Sequence, residues 1–240
     1  MRLILFDCPT PHRRNFFPAA LSRPIFELRL GMNSLGEKIV AKANAEKVAH
    51  FVPAYMAAAH QARTACPVND AAMLHGNDLL LVNGRLKAET LEIAADAPSQ
   101  VAADSSGEVL WARIAERDLG KLRTNSIDAI LESAKATLPA ADSSPATWSY
   151  LWELILANPA QLAADFAAAN HHGIEGTVEE PRAIRGSATD VFVARGAVVH
   201  PMVVIDAQNG PVFVDEGAEI HPFTRIEGPC YVGKNSLLLG

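Results

Sequence analysis

Arg13, Arg14, Arg23 and Arg29 fall within seventeen residues of a chain whose formal net charge is −6. Guanidinium groups clasp phosphate oxygens in bidentate pairs. Such a cluster can therefore neutralise a phosphorylated ligand in an otherwise acidic molecule. The competing reading is that the same arginines solvate loops or pair with acids such as Glu27 and Glu37. A second polar pair, Asn83 and Arg85 in "VNGRL", follows an apolar run and stands at the end of an expected strand.

The histidines and cysteines offer less. His171 and His172 sit in a polar linker with no second ligand cluster close in sequence, which argues against a metal there. His200 and His221 each follow an inward position of a repeat described below and read as wall residues rather than bases. Cys8, Cys66 and Cys230 lack CxxC spacing, so neither a zinc site nor a disulfide framework is expected, and a reducing, cytoplasmic location fits best. The opening "MRLILFDCP" is too short for a signal peptide, and no run approaches the roughly 18 apolar residues of a membrane span. With 240 residues, 49% apolar and 20% charged, the composition is that of a globular protein, and the acidic balance argues against a broad nucleic-acid face.

The elements that must position these residues differ along the chain. "MRLILFD" reads as a buried strand, followed by an Arg/Pro loop, a second short strand and a helix starting at "SLGEKIVAKA", where Ser34 and Glu37 have capping-box spacing. "DLLLVNGRL" and "GEVLWARI" read as further strands, giving an α/β opening. Residues 94–108 and 137–147 are polar and read as loops. The segment that follows has helical spacing interrupted at Asn158 and Pro159, so two helices or one broken helix are expected, with Trp148, Trp152 and Leu156 in the core.

From Val214 every sixth residue is aliphatic: Ile220, Ile226, Val232 and Leu238. Val193, Val199 and Ile205 carry the same register upstream, with three residues inserted in "DAQNGPVF". A period of six fits neither helix nor alternating strand. It fits a left-handed parallel β-helix, in which each hexad forms one side of a triangular prism and the aliphatic residue points inward. An uncovered last coil leaves apolar side chains and strand edges open. Either the chain is a fragment or another subunit is expected to cover that end. The expected division is an α/β domain over 1–145, a helical linker over 146–180 and the β-helix over 181–240.

An α/β domain opening on an Arg/Pro loop and followed by hexapeptide coils resembles the bifunctional UDP-N-acetylglucosamine pyrophosphorylase and glucosamine-1-phosphate N-acetyltransferase. The wording "LSRPIFELRLG", "VNGRL", "GPVFVDEGAEI" and "GPCYVG" is closer to a divergent branch of sugar nucleotidyltransferases. The resemblance implies a Rossmann-like domain that joins a nucleoside triphosphate to a sugar-1-phosphate, UTP and N-acetylglucosamine-1-phosphate first among them, and releases pyrophosphate. "RNFFPAALSRPI" keeps Arg14, Pro18, Ser22, Arg23 and Pro24 in the family's order. On this likeness Arg14 and Arg23 hold the reacting phosphates, while Arg13, Arg29, Asn83 and Arg85 bind nucleotide or sugar phosphate.

Three departures accompany it. "DCPTPHRRN" replaces the family's glycine-rich loop, Ile25 stands where a lysine is usual, and Arg85 stands where an aspartate would bind magnesium. Magnesium is still implied by the family, with its ligands left open. The β-helix half implies a homotrimer and, in a longer chain, a coenzyme A-dependent acyltransferase using acetyl-CoA. A module that binds nucleotide-sugars or oligomerises without catalysis is the remaining alternative.

Overall fold

A computed structural model describes residues 1–45, 47–94, 97–143 and 145–240, without the side chain of Thr10. The chain divides into two compact units, one of residues 1–28 and 34–153, the other of 29–33 and 154–240. No helix among the described residues is long and apolar enough to cross a membrane.

The first unit is built on a five-stranded sheet. Its strands are β1 (Arg2–Phe6), β2 (Lys47–Phe51), β3 (Leu79–Asn83), β4 (Gln100–Ala103) and β5 (Val109–Ile114), in spatial order β2-β1-β3-β5-β4. β1 runs parallel to β2 and β3, while β5 is antiparallel to both β3 and β4. Every residue of β3 is buried, as expected of a central strand covered on both faces. One face packs with Ile4, Phe6, Leu79, Leu81 and Ile130, the other with Leu3, Leu5, Phe26, Ile39, Leu80 and Val82.

Two helices cover these faces: α1 (Leu35–Ala43) and α2 (Ile127–Thr137). Helix α1 begins where expected, because Ser34 Oγ accepts from the Glu37 N–H at 3.2 Å and Glu37 returns a bond to the Ser34 N–H at 2.6 Å. Part of 94–108 is not loop: Gln100–Ala103 forms edge strand β4 against β5, a pairing its own Ala-rich sequence does not announce. Ala95, Asp96 and Ser144, within the expected loops, lie outside the described residues.

Helix α3 (Leu151–Ala169) continues through Pro159 rather than breaking there. A proline removes one intrahelical bond, while the buried stripe of Leu154, Leu162 and Phe166 keeps the helix in register. Trp148 is buried, but Trp152 and Leu156 are exposed, Leu156 by 78%, so the expected core triplet is reduced to one residue. In the second unit, Asn158 Oδ1 accepts from the Gly31 N–H and Asp165 Oδ2 from the Met32 N–H, both at 2.8 Å, which ties residues 29–33 to the helix. Gly31 has φ +74, and a Cβ there would meet the Asp165 carboxylate.

Beyond α3 the chain winds into short strands forming three sheets, and all their pairings are parallel. This is a parallel β-helix. Val193, Val199, Ile205, Val214, Ile220, Ile226 and Val232 are all buried in one prism core, with Leu238 partly buried against it, so the hexad register holds throughout. Ladder partners in the second and third coils are 21 residues apart, as in Val198↔Glu219, and those in the third and fourth are 18 apart, as in Val212↔Cys230. The extra residues are accommodated at one corner. The ladder reaches back to Gly173–Ile174 and Thr177–Val178, which pair with Phe192–Val193 and Val198–Val199. Phe192, Phe213 and Tyr231, on the outer face of one sheet, pack with Phe166 of α3 instead of facing water.

Candidate functional site

In open α/β sheets, ligands bind beyond the carboxyl ends of parallel strands. Here β1 runs into Asp7 and Cys8, and β3 ends at Asn83, followed by Gly84 and Arg85. Gly84 is tightly packed, since a Cβ would lie 3.0–3.2 Å from three atoms of Phe26, including its backbone nitrogen, and would force a shift of a few tenths of an ångström there.

The loop after β1 is fixed by Arg13. Its Nε donates to Asp7 at 2.7 Å, Nη1 to the Tyr55 hydroxyl at 2.6 Å, and Nη2 to the carbonyls of Ala20 and Arg23. Asp7 also accepts from the Ile25 N–H at 3.2 Å, closing the loop back onto the end of β1. Burial works against the Arg13 charge, but the bonds to Asp7 and Tyr55 outweigh it and hold its pKa above the usual arginine value. The adjoining Cys8 thiol is pushed up by burial and then by the charges of Asp7 and Glu108, so it is not a thiolate nucleophile.

Arg85 anchors a second network. Its Nη2 reaches Asp104 at 2.7 Å and Glu108 at 2.8 Å, and its Nη1 donates to Thr147 Oγ1 at 2.7 Å. Asn83 donates to Glu108 at 2.6 Å and accepts from the Arg85 N–H at 3.1 Å, and His12 Nδ1 contacts the same Glu108 carboxylate. Arg85 and Glu108 have side-chain exposures of only 4% and 6%. Burial alone would weaken the Arg85 charge; Glu108 and Asp104 more than compensate.

His12, Asp104 and Glu108 bring their ligand atoms within 4.8 Å of one another, the arrangement that could hold a cation. Magnesium needs open oxygen ligands. All four carboxylate oxygens already accept from the chain: Asp104 from Ser106, the Glu108 N–H and Arg85, and Glu108 from Asn83, Arg85 and His12. With a guanidinium in the centre, this cluster does not fit the ion.

The six residues singled out by sequence thus separate. Asn83, Arg85 and Arg13 are buried and bonded within the first unit. Arg29 belongs to the second unit, where it donates to the Met32 carbonyl and lies 5.8 Å from the Tyr231 ring centre. Arg14 and Arg23 are exposed. Neither has a side-chain hydrogen bond or ion pair with another described residue. They lie on the loop that Arg13 clamps, which leaves two uncommitted guanidiniums on that loop. Sequence reasoning missed Asp7, His12, Asp104, Glu108 and Thr147. The only signal for the acids was indirect: a buried arginine needs carboxylate partners.

No curated protein matches the chain. The model of the sugar nucleotidyl transferase family matches residues 3–172, spanning the sheet, the arginine loop and both networks, and the chain belongs to that family.

Proposed function

We propose that the first unit transfers a nucleotidyl group from a nucleoside triphosphate to a sugar-1-phosphate, forming an NDP-sugar of the UDP-N-acetylglucosamine type. A sugar-phosphate oxygen attacks the α-phosphorus, the bond from that phosphorus to the oxygen bridging it to the β-phosphate breaks, and pyrophosphate leaves with the electron pair. Such transfer depends on positioning and on neutralising phosphate charge.

The observation that carries this reading is the contrast on one loop between Arg13, committed to Asp7, and the uncommitted Arg14 and Arg23. These two exposed groups are suited to the triphosphate, the buried pair to holding the loop in place. Asn83 and Arg85 shape the floor at the end of β3 through their bonds to Glu108. Magnesium is expected to accompany the nucleotide, but no step here is routed through it. The same reading takes the assembly to be a homotrimer joined through the β-helix, which light scattering at graded concentrations checks.

The test is pyrophosphate release by the full chain across nucleoside triphosphates paired with sugar-1-phosphates. Release with one pair, greatest for UTP with N-acetylglucosamine-1-phosphate and abolished by Arg14→Ala with Arg23→Ala, is the expected result. A folded protein that releases none with any pair would overturn it.

A further inference from the structure

The outer wall of the β-helix carries a second cluster, independent of nucleotidyl transfer. Parallel ladders place equivalent residues of successive coils one above another, with neighbouring strands about 4.8 Å apart. In the sheet containing Thr177–Val178, Val198–Val199 and Glu219–Ile220, Val199 pairs with both Val178 and Ile220. Glu179, His200 and His221 directly follow those inward residues and stack in one outward column. Glu219, two positions before His221, faces outward beside them.

The side chains converge. His200 Nε2 lies 3.0 Å from Glu219 Oε1, and His221 Nε2 lies 3.2 Å from the same oxygen. The other nitrogen of His200, Nδ1, lies 2.9 Å from Glu179. Ligand atoms of His200, Glu219 and His221 are all within 4.8 Å of one another. The four side chains are between 29% and 48% exposed, so solvent ions can reach them. Among the described residues no lysine or arginine is paired with any of the four.

Zinc-class cations bind imidazole nitrogen and carboxylate oxygen at about 2.0–2.2 Å, and tetrahedral bonds of that length separate neighbouring ligand atoms by about 3.3–3.5 Å. The two nitrogen–oxygen separations need to open by only a few tenths of an ångström. Histidines that bind metal usually donate their other N–H to a carboxylate, which fixes the tautomer, and Glu179 is placed to accept it.

We propose that His200, His221 and Glu219 bind one divalent transition-metal cation of the zinc class, with Glu179 as the positioning residue for His200 and solvent in the fourth place. Without metal, His200 can donate from both ring nitrogens to the two carboxylates. On binding, the Nε2 of each histidine gives up its proton and offers its lone pair to the cation: His200 keeps the Nδ1–H that donates to Glu179, and His221 is left protonated at Nδ1. The ligands come from the second and third coils, so the cation cross-links neighbouring rungs and stabilises the folded wall.

The experiment is calorimetric titration of the chelator-treated full chain with Zn²⁺ alone, with Mg²⁺ as the control. One equivalent of Zn²⁺ per chain, none of Mg²⁺, and a rise in thermal midpoint are expected. His221→Ala should weaken zinc binding by at least about 100-fold and Glu179→Gln by about 10-fold. No zinc uptake, or unchanged affinity in folded His221→Ala, would overturn the assignment. Should that variant fail to fold, the visible spectrum of Co²⁺ bound to the wild-type chain decides: a four-coordinate nitrogen and oxygen environment supports it, and six-coordinate or thiolate ligation contradicts it.

Discussion

At the ends of β1 and β3, His12, Asp104 and Glu108 close around the buried guanidinium of Arg85. On the wall of the β-helix, His200 and His221 close around Glu219 with no guanidinium among their partners in the described residues. The residue types are nearly the same, and what differs is how far the acceptors are already used. Every carboxylate oxygen of the first cluster is bonded within the chain, so its chemistry is spent on holding the fold. The second leaves carboxylate capacity facing solvent. Hydrogen-bond saturation, more than residue type, separates a structural cluster from a binding one. The arginine loop repeats the lesson, with Arg13 committed to partners within the loop's own fold and Arg14 and Arg23 open.

The strongest way to break this comparison is Arg85→Met. Removing one partner of a buried ion pair leaves uncompensated charge and costs about 3–5 kcal/mol. Urea unfolding should show a loss of that order. A loss under about 1 kcal/mol would mean that Asp104 and Glu108 do not need the arginine, and would reopen them as cation ligands.

A smaller effect comes from acid. His50, whose Nδ1 lies 2.9 Å from His60 Nε2, is pushed down to about 4 by burial and then by the His60 charge. Between the unfolded value of 6.5 and about 4, the unfolded chain binds the additional proton. Its contribution is therefore complete above pH 6.5 and is lost as pH falls toward 4, by on the order of 2–3 kcal/mol. Unfolding series from pH 7 to 4 check this, and His50→Gln should flatten the dependence.

His200 moves the other way, held above its ordinary value by the bonds to Glu219 and Glu179. NMR titration should find it protonated above pH 6.5, and zinc affinity should rise with pH as that proton leaves. The smallest expected effect is that of His200→Ala on the metal-free chain, whose urea midpoint should stay unchanged in alkaline solution, where His200 has lost the proton that its carboxylate partners hold. A marked fall would place this wall cluster with the structural one.

The hexad register was legible because the prism admits one inward side chain per rung, from Val193 to Val232. The capping box of α1 was legible because both of its bonds lie within one turn. Strand β4 was not, since its identity comes from pairing with β5. Nor was the attachment of residues 29–33 to the second unit, which depends on Asn158 and Asp165 far along the chain. The arginine cluster could be seen in the sequence, but its division could not. Which guanidiniums are free depends on where the fold places Asp7, Asp104 and Glu108.

That division is most directly tested by calorimetric binding of UTP to the wild-type chain and to Arg14→Ala/Arg23→Ala. Charge-assisted bonds contribute about 1.5–3 kcal/mol each. The double variant should therefore bind UTP at least about 100-fold more weakly while unfolding at the wild-type urea midpoint. Equal affinity in a folded double variant would contradict the assignment of the exposed pair to the triphosphate.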